Sequence, residues 1–105
     1  MSVVTDVILM VPPDSGLALI RDINARIEAV VASPCSGLNK VDRYAGGNKA
    51  VQADVYMGAF NYLSRQAVLD ILAAVPWDVD DRADVRVAIK EEWDDAFTFH
   101  SIGTP

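Results

Sequence analysis

Apolar and polar residues alternate most regularly between Ala50 and Phe60, AVQADVYMGAF. Val51, Ala53, Val55, Met57 and Ala59 share one side of an extended chain, while Gln52, Asp54, Tyr56, Gly58 and Phe60 share the other. One side is apolar without interruption, so the pattern predicts a strand near the middle of a sheet with its odd-numbered positions against helices. Val3 to Val11 predicts a second strand, dense in β-branched residues. If Val3, Val7, Leu9 and Val11 face the helices, Val4, Ile8 and Met10 emerge opposite, and apolarity on both sides argues for a central position. Pro12 and Pro13 end it, because neither has a backbone N–H to give.

The period then changes to helical. Leu17, Ile20, Ile23, Ile27, Val30 and Val31 recur at spacings of three and four, predicting a helix from an N-cap at Asp14 or Ser15 to about Ala32. Ser33-Pro34 stops it, since the residue before proline is pushed out of the α region. Leu38 to Tyr44 alternates poorly and carries Lys40, Asp42 and Arg43, as an edge strand does. Ala45-Gly46-Gly47-Asn48 tolerates positive φ and predicts a hairpin into the alternating strand. Ser64 is a good N-cap for a second helix running to about Val75, with Val68, Ile71, Leu72 and Val75 as its buried stripe and Pro76 as its stop. Trp77 to Asp81 reads as a loop. Val85, Val87 and Ile89 alternate with Asp84, Arg86 and Lys90 as a fourth strand, and Ala96 to Ile102 reads as a short fifth strand or an extended tail.

The order strand, helix, strand, strand, helix, strand suggests two similar halves. Right-handed crossovers with both helices on one face favour an antiparallel sheet in the order 4-1-3-2. At the level of element order this resembles the α+β ferredoxin-like, split βαβ sandwich (βαββαβ), with no family motif to go with it. That architecture hosts many functions and does not choose among them. A chain of 105 residues, 51% apolar, fits one domain over residues 1–105.

Charge narrows the partners. The net charge is −6; residues 1–75 contribute −1 and residues 76–105 contribute −5. An acidic C-terminal third disfavours nucleic-acid phosphate and anionic membrane surfaces and favours a cationic partner. No apolar run is long enough to span a bilayer as a helix. The single cysteine, Cys35, cannot form an internal disulfide, and MSVVTD does not resemble a signal peptide, so a cytoplasmic protein is expected.

Candidate chemistry is sparse. Asp78, Asp80, Asp81 and Asp84 crowd one loop, but Arg82, Ala83 and Ile89 occupy positions where a calcium loop needs an oxygen ligand, glycine and glutamate. His100 is the only histidine, with no second histidine or cysteine pair to build a zinc site, and Cys35 has no evident base. No metal, cofactor or catalytic residue is assigned. Glu91-Glu92-Trp93-Asp94-Asp95 is the most informative peptide. Its tryptophan is either an interface anchor with a charged rim or a hairpin-turn residue folded back on the core.

The first expectation is therefore a non-enzymatic, protein-binding module, in concrete form an inhibitor or immunity-type protein blocking a basic partner surface. Trp93 would anchor it, with Glu91, Glu92, Asp94, Asp95, Asp78, Asp80 and Asp81 as complementary charge. The alternative is a cofactor-independent homodimer, binding or transforming a small apolar molecule on the open sheet face. Its pocket would comprise Met10, Asp54, Tyr56, Phe60 and His100, unless Phe97 and Phe99 cover that face.

Overall fold

The computed structural model describes residues 4–16, 18–31, 37–42, 44, 46–49 and 52–102. Its elements are β1 (Val4–Val11), α1 (Ile20–Val31), β2 (Asn39–Lys40), β3 (Asp54–Asn61), α2 (Arg65–Ala74), α3 (Val79–Asp84), β4 (Arg86–Glu91) and β5 (Thr98–Ser101). The strands form one antiparallel sheet in the order β2-β3-β1-β4-β5. This is an α+β fold whose strand order matches the expected 4-1-3-2 only in part. Read from the opposite edge, four strands keep that order, and β5 is added outside β4. The expectations placed on Val3, Leu17, Ala32, Ser33, Pro34, Cys35, Arg43, Ala45, Ala50 and Val51 fall outside the described residues.

Central β1 follows the expected pattern. Val7, Leu9 and Val11 are buried in one core with Ile23 and Ile27 of α1 and Val68, Ile71 and Leu72 of α2. Val4, Ile8 and Met10 lie on the other face, more exposed than their neighbours. The core and the two long helices thus share one side of the sheet, leaving the reverse without a helical layer among the described residues.

The faces of β3 are exchanged relative to expectation. Asp54, Tyr56, Gly58 and Phe60 stand opposite Val11, Leu9, Val7 and Thr5 of β1, on the helix side, whereas Val55, Met57 and Ala59 line the open side. Tyr56 and Phe60 are buried and Met57 is 44% exposed. Side-chain size explains the reversal. Two aromatic rings each remove about 150–250 Å² from water, more than the small odd-numbered set offers. Gly58 makes room, for a Cβ there would lie 2.8 Å from Phe60 Cζ. The buried carboxylate on this face is compensated: Asp54 Oδ2 accepts the Asp14 N–H at 2.7 Å, and Lys40 Nζ lies 3.7 Å from Oδ1.

Helix α1 begins later than predicted. Asp14 adopts φ 67° instead of capping a helix, and the chain turns through Ser15 N–H→Pro12 O and Ile20 N–H→Gly16 O bonds before helix starts at Ile20. Gly16 passes close enough to Tyr56 that a Cβ would sit 3.1 Å from its ring. Of the predicted stripe, Ile23 and Ile27 are buried, while Val30 points to solvent. Strand β2 covers Asn39–Lys40 of the predicted Leu38–Tyr44, with the Val41 N–H still bonded to Val55 O at 2.7 Å, and Asn24 of α1 holds its approach. Asn24 Oδ1 accepts the Leu38 N–H at 2.8 Å, and its amide donates to Leu38 O at 3.3 Å.

Helix α2 starts as predicted, with Ser64 Oγ accepting the Ala67 N–H at 3.1 Å. Leu63 and Val68 occupy the positions of a hydrophobic staple, and both are buried. Helix α3 begins within the segment read as a loop and ends on Asp84, which the alternation assigns to the fourth strand; Asp78 caps it through the Asp80 N–H at 3.1 Å. Asp80 and Asp81 occupy its first turn, where negative charge suits the helix dipole. Before it, Trp77 is buried, and its indole N–H donates to Leu72 O at 2.8 Å. No described helix is long and apolar enough to cross a membrane.

Candidate functional site

The β4–β5 turn is built from its own acids. Asp94 N–H donates to Glu91 O at 2.9 Å, and Glu91 N–H returns a bond to Asp94 Oδ2 at 2.9 Å. Arg65, the first residue of α2, pins the turn to that helix. Its guanidinium reaches the Asp94 carboxylate, lies 3.0 Å from Glu91 Oε1, and donates through Nε to Thr98 Oγ1 at 3.2 Å. A cation at a helix N-terminus opposes the dipole, and these two carboxylates compensate it. The Glu91 backbone N–H, followed by Arg65 and Lys90, holds the Asp94 carboxyl below its ordinary pKa, although partial desolvation opposes the shift.

With Glu91 and Asp94 committed inward, Trp93 is turned out and is 66% exposed. It borders a groove of about 350 Å³ together with Val30 at the end of α1, Glu91, and Tyr62, Leu63, Ser64 and Ala67 at the β3–α2 junction. Tyr62 is 64% exposed and has φ 62°. That left-handed backbone is rare for a bulky residue and stores about 1–3 kcal/mol of strain. Its origin is local. Phe60 and Leu63 both point into the core, so the chain reverses between them and the intervening tyrosine is left outside.

The sequence-derived candidates separate into groups. Trp93, Glu91, Glu92, Asp94 and Asp95 cluster at this turn, with Glu92 and Asp95 exposed and Glu91 and Asp94 held by Arg65. Asp78, Asp80 and Asp81 sit in or beside α3 at the opposite end of β4, about 17 Å away along a strand of that length. The acids therefore do not form one surface. The alternative pocket is not assembled on one face: Asp54, Tyr56 and Phe60 are buried on the helix side, whereas Met10 lies on the open side. His100 pairs with buried Val87 at the sheet edge, so it too is on the helix side, with Nε2 2.7 Å from Thr98 Oγ1. Among the described residues no group of three His, Cys, Asp or Glu side chains is placed to hold a metal ion.

Sequence reasoning missed Tyr62, Val30 and Arg65. A tyrosine two positions before a serine N-cap, following an aromatic strand residue, was the available signal for Tyr62. Val30 was concealed by its helical spacing, and nothing local marks Arg65 as the partner of a turn some 26 residues downstream of it. Comparison with known proteins adds no identification: no family model, curated protein or solved structure matches the chain.

Proposed function

We propose that this protein is a non-catalytic protein-binding module that docks a basic partner surface through the groove between Trp93 and Tyr62. One observation carries the reading. Two exposed aromatic side chains border the same groove, and one of them is kept at a strained backbone angle although its ring gains little burial there. Exposed aromatics are the side chains that most often supply binding energy when a partner desolvates them. Glu92 and Asp95 flank Trp93 in the chain and remain open to solvent, and these two carboxylates favour a cationic partner. Tryptophan and tyrosine faces also attract lysine and arginine heads. An inhibitor or immunity-type role, masking the basic surface of another protein, is the concrete form of this reading. It is accompanied by a cytoplasmic location, which the lone cysteine favours, and by a ferredoxin-like reading of the β2-β3-β1-β4 portion of the sheet.

Random-peptide display against the native chain, counter-selected on a Trp93→Ala/Tyr62→Gly double variant, tests the reading. Enrichment of Lys- and Arg-rich peptides whose calorimetric binding is lost in the double variant supports it. Selected peptides without basic character, or with equal affinity for the variant, remove it.

A further inference from the structure

We propose that the open face of the sheet is a twofold interface, occupied by the same face of a second copy of this chain. Register places Met57, Ile8, Ala88 and Phe99 in one row across β3, β1, β4 and β5. Asp6 and Lys90 stand side by side in the next row along β1 and β4. All of these side chains emerge away from the helices. Phe99 is 74% exposed, and Ile8, Met57, Ala59 and Phe97 border a hollow of about 370 Å³ on this face.

The arrangement is complementary to itself. Consider a twofold axis running between the two sheets, parallel to the strands and over the seam between β1 and β4. It exchanges the two sides of every row while keeping each level. Phe99 of either copy then lies over Met57 and the adjoining hollow of the other, and Ile8 lies over the row position of Ala88, which is itself buried within its own copy. Asp6 lies over Lys90, and the symmetry repeats each contact in reverse. Aligned packing of twisted sheets is a common way to bury two such faces.

Charge favours a second copy over a different occupant. Each chain carries −6 overall, so two copies repel except where negative charge is scarce. The charged residues on the open side of the described strands are Asp6, Lys90 and Arg86, two of the three being positive. Under this axis β3, β1, β4 and β5 overlap, with eight, eight, six and four residues, and strand rise and spacing give a footprint of about 400 Å² per copy. The two copies together reach about 800 Å², the size of a weak, concentration-dependent association.

Sedimentation equilibrium of the full chain tests the proposal, with circular dichroism to confirm that each variant is folded. The native chain is expected to sediment at the mass of two copies. Phe99→Asp and Met57→Arg, both at exposed positions, are each expected to give the mass of one copy with unchanged secondary structure. Asp6→Lys is expected to weaken association by setting like charges against each other, and Asp6→Lys/Lys90→Asp to restore it. A native chain that stays at the mass of one copy up to submillimolar concentration overturns the proposal, whether or not the face takes up some other molecule. A dimer that survives both Phe99→Asp and Met57→Arg overturns it equally.

Discussion

Tyr62 occupies a backbone conformation that glycine adopts without penalty, while its ring remains mostly in water. Tyr62→Gly is therefore expected to raise stability by about 1 kcal/mol, read as a higher urea midpoint, even as it weakens partner binding. A lower midpoint would show that the ring stabilises the monomer and that strain is not held there for recognition. Asp94 has a pH-dependent role with a defined sign. Its pKa is lowered in the folded chain by the Glu91 N–H and Arg65, so its ionised form stabilises the fold. That contribution is fully present above the ordinary carboxylate value of about 4 and disappears as pH falls through the lower folded value. Asp94→Asn should therefore be less stable than the native chain at neutral pH and converge with it in strong acid. Parallel denaturation curves at several pH values measure the difference, and a gap that persists unchanged in acid would contradict the assignment.

At the scale of elements, what could be read from sequence depended on whether neighbours intervened. Helix α2 was legible because its cap, stripe and proline stop are all local signals, and β4 because Val85, Val87 and Ile89 alternate cleanly. The faces of β3 were not. Both of its sides carry apolar residues, and the uninterrupted run of small odd-numbered ones masked the larger burial that Tyr56 against Leu9 and Phe60 against Thr5 provide. The entry into β2 likewise depended on Asn24, fourteen residues before Leu38. Helix α3 was hidden because four acids in a short span resemble a loop until one of them is seen as a cap. Of the candidate site, Trp93 and its flanking acids were readable, whereas the opposite wall of the groove comes from elements distant in sequence. The packing of β3 makes a direct prediction. Gly58→Ala sets a methyl against the buried Phe60 ring and is expected to lower stability by about 1–3 kcal/mol through overpacking. Thermal unfolding measures it, and an unchanged melting temperature would mean that the ring moves aside freely.

For the whole molecule, the two proposed surfaces respond oppositely to ionic strength. A groove that attracts a cationic partner loses affinity as salt screens the attraction. Two copies at −6 each that meet through an apolar face gain affinity as their mutual repulsion is screened. Titrating sodium chloride while following dimer mass and basic-peptide binding on the same sample is expected to move the two in opposite directions; a common direction would mean that one surface has been misassigned. The two tryptophans make such experiments self-reporting. Trp77 is sealed in the core with its indole N–H bonded to Leu72, while Trp93 stands in solvent. Acrylamide should quench only the red-shifted emission of the outer indole, and a Trp93→Phe chain would retain a single, blue-shifted fluorophore that follows unfolding alone. Occupancy of the groove and integrity of the fold can thus be watched as two separate colours in one cuvette.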